Sequence, residues 1–482
     1  MSRSLLAVLA ALLVLPAAPA LAGAPGTWTP ITSADGRNID QVALLRTPDA
    51  QLHVVWHRAT PTNTPNSDLM QTVIAPAGAA GPPQTIASNW IGIGDAGLVR
   101  DAAGNLLIVA GATQSLDQGA ISEFGAWRSA DGGASWALQP TDAAKGGGFA
   151  DGVGLAIGPD GATPYLAWGT TFGLFVHRGT DAATPAGDLQ TTAGFGCCGY
   201  DPGLAVDGQT NQLIAAWYSN ATGHEGVYAQ PVDPATGGPI GAPVQMPGSV
   251  TNYNGALESS QSIARTPVVA RPGKPGVWVA YTGNYPTTTL ARVWRFGAPS
   301  STVVGRASGG LANVTLAGTP EGRLWALWSA GGVIFARRTN RDATVWGATV
   351  STPVVKGTSV TFKLAASGQL GPVDVLAAFA PATGNGVQTW HTQLNPGLTL
   401  AASPAKLKAS KKSRKKSTVT LTVTDAGDPV AGAKVKLGKA SGTTNGAGKA
   451  KLKVGPFASR TSLAASATKA GYVAGATTVA VR

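Results

Sequence analysis

The chain carries 482 residues with 64 glycines, 33 prolines and only 12% charged side chains, a length that makes room for more than one hydrophobic core. Glycine and proline fall between short apolar runs as turn residues and dominate no single tract, which excludes a collagen-like or low-complexity chain and points to an all-β one. The formal net charge of +12 is concentrated at the C-terminal end: from Leu398 onward 16 Lys/Arg face only Asp425 and Asp428, whereas between residue 23 and that point 19 Lys/Arg face 22 Asp/Glu.

Residues 1–22 read as a secretory signal peptide. Arg3 precedes the apolar run 5–15, which is short of a bilayer span, and Ala20-Leu21-Ala22 sets small residues at the cleavage positions. The mature chain is expected to begin near Gly23 or Pro25 and to be secreted or held at the cell surface without a transmembrane anchor.

Seven copies of one pattern follow: an apolar run, a Gly/Asp turn, then a strand that ends on a small residue and a larger one. The copies end at Val55-Trp56, Val109-Ala110, Ala167-Trp168, Ala216-Trp217, Ala280-Tyr281, Leu327-Trp328 and Ala378-Phe379, at spacings of 54, 58, 49, 64, 47 and 51 residues. A period of about 50 residues is that of a four-stranded propeller blade, so the spacing predicts a seven-bladed β-propeller over residues 26–395. In the second unit, 95–101, 105–113, 122–130 and 135–139 are the expected strands. The last copy supplies only three clear strands, and residues 26–34 are expected to add the missing outer one, which closes the ring and removes an edge.

Asn395-Pro396-Gly397 marks the predicted boundary, and residues 398–482 read as a small β-sandwich whose segments 417–425, 432–439, 449–455, 461–469 and 477–482 alternate apolar and polar positions. The stretches 425–437 and 443–454 resemble bacterial Ig-like modules of the invasin or carboxypeptidase-regulatory type. Lys434 with Lys436, and Lys449 with Lys451 and Lys453, are expected on a strand face. Such a face either suits anionic polymers of the cell envelope or keeps sheet edges from pairing. Nucleic acid is not expected as a partner, because the lysine run 406–416 has no interleaved aromatics and the chain is read as exported.

One short motif is specific. Ser129, Asp131, Gly133, Ser135 and Trp136 fit the Asp-box pattern, in which a carboxylate and hydroxyls bond turn backbone while glycines take positive φ. On these residues the propeller resembles the sialidase-like group with bacterial neuraminidase repeats, and residues 200–218 are similar to its first hairpin. The resemblance implies a structural role for the Asp-box, on the face opposite the ligand. Catalytic members need an arginine triad, an acid/base carboxyl, a Tyr/Glu nucleophile pair and a Phe/Tyr-Arg-Ile-Pro motif. That tetrapeptide is absent; Arg46 and Arg100 fall toward the wrong rim, Arg58 is a distant second, and Arg265 is the one well-placed arginine, with Tyr253 and Glu258 shortly before it. These three are either the remnant of a site or ordinary residues of a long surface connection.

The repeat register supplies a second constellation. Asp40, Asp95, Asp151, Asp201, Arg265 and Asn313 precede the first strands on one rim, with Trp90, Phe149, Tyr200 and Tyr253 nearby. They either form a polar, mostly acidic ring at the channel mouth, suited to sugar hydroxyls or to a hard cation through oxygen ligands, or cap the turns of their own backbone. Cys197 and Cys198 are adjacent and form either a strained vicinal disulfide or two thiols. Two cysteines and scattered histidines give no metal-ligand spacing, and no cofactor motif is present. His57-Arg58 and His224-Glu225 each follow a second strand and are therefore expected on the ligand rim. The leading expectation is an exported, non-catalytic binding protein for an extracellular glycan or envelope polymer. A diverged exo-sialidase-type glycoside hydrolase and a protein-interaction module are the alternatives.

Overall fold

The computed structural model describes residues 25–33, 42–59, 66–113, 123–141, 152–170, 173–180, 187–188, 199–219, 221–249, 266–283, 288–308, 311–381, 387–410 and 415–482. All regular structure in them is β. Up to Leu394 the strands form seven antiparallel sheets in chain order. The first strands are Ala43–Arg46, Gly97–Arg100, Val153–Ile157, Gly199–Val206, Val268–Arg271, Ala312–Gly318 and Thr358–Gly368. Each touches the next, and Ala43–Arg46 also touches Thr358–Gly368, so the sheets close into a propeller-like ring.

Glycine at one repeated register lets three of these strands approach. A Cβ on Gly97 would lie 2.5 Å from Leu155 Cβ, one on Gly154 2.6 Å from Pro202 O, and one on Gly203 2.3 Å from Thr266 O. The residues after them, Leu98, Leu155 and Leu204, line a central cavity of about 220 Å³ with Val42, Val268 and Leu316. The second strands, such as Leu213–Ser219 and Leu324–Ala330, are buried on both faces, which is why they read as continuous apolar runs and not as alternation.

Seven separate apolar clusters fill the spaces between neighbouring sheets. Trp217 and Tyr165 lie in the one between the third and fourth sheets, Trp294 and Tyr218 between the fourth and fifth, and Trp56 and Leu376 between the first and the last. Thr29–Pro30 pairs with Gln388–Leu394, Thr29 opposite His391 and Pro30 opposite Trp390, and Trp28 meets Phe379 edge-on at 5.1 Å. The chain's N-terminal segment therefore completes the seventh sheet.

That seam is polar at one end. Asp374, fully buried in the seventh sheet, takes bonds from Arg46 of the first sheet, from His391 Nε2 at 2.8 Å, from Gln369 at 2.6 Å and from Gln393 at 2.9 Å. Burial pushes its carboxyl up, but the His391 bond and the Arg46 charge outweigh it and hold the group below the ordinary carboxylate range.

Beyond Leu398 two further sheets enclose one apolar core that includes Val419, Leu421, Val435, Leu437, Leu452 and Val479. One sheet contains Thr399–Ser403, Ser417–Asp425, Asp428–Pro429 and Lys449–Val454. The other runs in the order Lys406–Leu407, Gly475–Val481, Thr461–Thr468, Lys434–Leu437, Ala440–Thr443. Alternation in this part is strict, as in the pattern of exposed and buried residues along Lys449–Val454.

Candidate functional site

Two surfaces carry the polar chemistry, the rim where the chain enters each first strand and the outside of the C-terminal sheets. At the rim a backbone device recurs. In the fourth sheet Tyr200 pairs with Tyr218 and Gly203 with Ala216, so Asp201 and Pro202 together oppose Trp217. In the sixth sheet Ala312 pairs with Ser329 and Thr315 with Leu327, so Asn313 and Val314 together oppose Trp328. In the second sheet Gly94 N bonds Gly111 O at 2.8 Å and Gly97 pairs with Val109, which sets Asp95 and Ala96 opposite Ala110. Asp95, Asp201 and Asn313 thus occupy equivalent one-residue bulges, each opposite the last residue of its repeat motif. A one-residue bulge is a common device beside binding sites.

The bulges do not all open to solvent. Asn313 is 2% exposed with φ 51°, so its amide belongs to the sheet interior. Asp95 is half-buried, and its carbonyl accepts the Val153 N–H at 3.2 Å, tying the second sheet to the third. Tyr200 is 36% exposed beside the Asp201 bulge and presents an aromatic face. Trp90 does not; it is 8% exposed and packs edge-on to Trp127 at 5.2 Å, because the bulky ring completes the cluster between the first two sheets. His57 and Arg58 lie inside the second strand, Leu52–Ala59, and not after it, with Arg58 opposite Asp68. Asp40, Asp151, Tyr253, Glu258, Arg265, Phe149, Cys197 and Cys198 lie outside the described residues. Among the described residues no group of three or more His, Cys, Asp or Glu is placed to hold a metal ion.

The opposite rim carries the Asp-box. Asp131 accepts the Ser135 N–H at 2.9 Å and the Ser129 hydroxyl at 2.7 Å, and the Gly133 N–H donates to Ser129 Oγ at 2.7 Å. The Ser135 hydroxyl first, then its N–H and Ser129, hold the Asp131 carboxyl down to about 2. Gly132 and Gly133 take φ of 71° and 89°. The carbonyl of Gly133 accepts the Gln71 amide, so the hairpin is fastened to the first sheet.

On the C-terminal sheets the lysines fall on two different sheets rather than on one face. Lys434 and Lys436 point out of one, and Lys449, Lys451 and Lys453 out of the other, with the strand Ala440–Thr443 between them in contact with Lys449–Val454. All five are exposed. The two acids of this region are turned away from them. Asp425, 2% exposed, pairs with Arg338 of the sixth sheet and lies 3.6 Å from Arg323; Asp428 lies 2.7 Å from Arg323 and accepts the Arg341 N–H at 3.1 Å. Sequence reasoning missed this junction. Its signal was that a strongly basic stretch kept two aspartates three residues apart at a predicted turn.

No family profile matches the chain, and no curated protein is similar to it in sequence. Solved structures similar to it include a protein of unknown function from Dyadobacter fermentans, with 13% identity, 77% of this chain and 99% of that one covered, and a TM-score of 0.46. A polysaccharide lyase shares 8% identity over 73% of this chain and 89% of its own, with a TM-score of 0.43. An α-L-arabinanase from Penicillium chrysogenum, complexed with arabinobiose, shares 11% identity over 74% and 93%, with a TM-score of 0.40.

Proposed function

We propose that this chain is an exported, non-catalytic binding protein: a seven-bladed, sialidase-like β-propeller over residues 26–395 that holds an extracellular glycan, followed by a basic Ig-like module over 398–482 that works at an anionic surface. The observation that carries the reading is the exposed ring of Tyr200 beside the Asp201 bulge, on the rim where half-buried Asp95 occupies the equivalent bulge two sheets away. A glycan needs polar groups for its hydroxyls and a flat apolar face for its ring; in this reading Tyr200 supplies the face, and Asp95 and Asp201 supply the polar groups. Residues 1–22 act in this reading as the export signal, and Tyr253, Glu258 and Arg265 as further rim contacts.

A glycan array on the purified protein tests the propeller's role. Binding to a restricted set of sugars, weakened by Tyr200→Ala and Asp201→Asn, is the expected result. A flat array response, with capture of a protein partner instead, would favour an interaction module. Release of a fluorogenic leaving group from a sialoside, lost in Arg265→Ala, would replace the binding reading with a glycoside hydrolase of exo-sialidase type.

A further inference from the structure

The outer surface of the C-terminal sheets is unusual in what it lacks. Lys434, Lys436, Lys439, Lys449, Lys451 and Lys453 are all exposed, and none has an ion-pair partner among the described residues. The only two acids beyond Leu398, Asp425 and Asp428, are both committed to arginines of the sixth sheet. Six ammonium groups therefore stand on this unit, two of them on the outer face of one sheet, three on the outer face of the other and one at the Gly438-Lys439 turn, with no acid of the unit left to pair with them.

The row Lys449, Lys451, Lys453 has the more definite geometry. Ala450, Leu452 and Val454 alternate with it and anchor the strand in the core. Alternate residues on one strand face lie about 6.6 to 6.8 Å apart. Each lysine also has a threonine opposite it on the neighbouring strand: Thr422 by Lys449, Thr420 by Lys451 and Thr418 by Lys453. Paired strands are about 4.8 Å apart, so a hydroxyl row runs parallel to the ammonium row. No aromatic residue occurs between Lys434 and Val454, and no arginine does either. Sugar rings thus find nothing to stack on, and planar carboxylates find no guanidinium fork. Tetrahedral phosphate oxygens accept point charges and hydroxyl donors from many directions.

We propose that this lysine and threonine face binds a linear phosphodiester polymer of the cell exterior, lying along Lys449–Val454 with successive phosphates on successive lysines. The proposal rests on the basic module acting at an anionic surface and adds the chemistry and the residues.

The test uses the full chain and titrates poly(glycerol phosphate) and polygalacturonate of matched charge at low and physiological salt. The wild type should bind the phosphodiester more tightly than the uronate, with affinity falling as salt rises. Replacing Lys449, Lys451 and Lys453 together by Gln should weaken phosphodiester binding about 100-fold, at about fivefold per ammonium. The exposed positions leave the core intact, which a thermal melt checks. A control removing the same charge elsewhere, Lys406→Gln, Lys408→Gln and Lys469→Gln, should keep most of the affinity. Equal loss in the control would mean that net charge alone acts and would overturn the proposal, as would equal or tighter binding of polygalacturonate. Absence of binding to either polymer by the wild type would remove the anionic-surface reading itself.

Discussion

Arg338, on the third strand of the sixth sheet, meets Asp425 of the C-terminal sheets with both side chains 3% exposed. The pair is not isolated: Arg338 lies over the Trp325 ring at 5.5 Å, and its guanidinium also donates to Gly371 O at 2.7 Å. Arg323 approaches both Asp425 and Asp428, and Gly347 leaves room for Ala426, which a Cβ there would crowd at 3.1 Å from its N. Gly397 bridges to Ala348 on one side and to Val473 on the other. The basic unit is thus docked against the sixth sheet and does not hang from a free linker, and its lysine face is held in one orientation to the ring.

Breaking this junction from one side leaves a buried charge. Arg338→Met should cost about 3 to 5 kcal/mol, since Asp425 stays buried beside a single, more distant cation. Calorimetry is expected to split one transition into two, with the C-terminal unit melting apart from the ring. Adding Asp425→Leu should recover much of the loss, because two apolar side chains replace the ion pair. A double variant no more stable than Arg338→Met would show that the pair is not the main tie.

The Asp374 seam has a signed pH dependence. Its folded carboxyl sits below the ordinary value, which is about 3.9 in unfolded chains, so its contribution is complete above that pH and is lost as pH falls through the folded value. Asp374→Asn leaves Arg46 facing a neutral amide and should cost about 3 kcal/mol at neutral pH. Urea midpoints of the wild type and the variant should converge below about pH 4, near the unfolded carboxylate value. A gap that stays constant down to pH 2 would assign the loss to packing instead of charge.

The repeated small-large ends and their spacing made the second strands legible, because residues buried on both faces must all be apolar. Asp95 and Asp201 were readable as rim positions, since a polar residue directly before an apolar run marks the start of a strand. Their bulges were not, because a one-residue excess in pairing depends on the partner strand, and a single strand's sequence does not carry it. Trp90 was misplaced for a related reason: a terminal aromatic looks the same whether its ring turns to the rim or to the next sheet. The pairing of Arg338 with Asp425 joins residues 87 positions apart, and local pattern holds no trace of such a contact.

Close approach of the first strands gives a third prediction. Gly203→Ala places a methyl group 2.3 Å from Thr266 O and 2.8 Å from Val268 Cγ2, so the fourth and fifth sheets must separate at the channel. The expected loss is about 1 to 3 kcal/mol from overpacking. Gly446→Ala, with nothing within 4 Å of the added carbon, should stay within about 0.5 kcal/mol of the wild type. Chemical denaturation of both variants makes the comparison, and equal stabilities would mean that the ring has slack at this register.

The Asp-box yields the last prediction, which separates scaffold from site. Asp131 lies on the exposed rim opposite the bulges, and its partners, Ser129 and Ser135, belong to its own hairpin. Asp131→Ala removes the acceptor for the Ser135 N–H and frees the turn whose Gly133 carbonyl holds Gln71 of the first sheet. The melting temperature should fall while binding of sugars or polyanions by the folded protein is unchanged. The carboxyl titrates at about 2 when folded and at about 3.9 in unfolded chains, so its stabilisation is whole above the upper value and fades between the two. Melts of the wild type and of Asp131→Ala across that interval should draw together as pH drops. Loss of ligand binding at a temperature where the variant is still folded would instead place the Asp-box in the binding machinery.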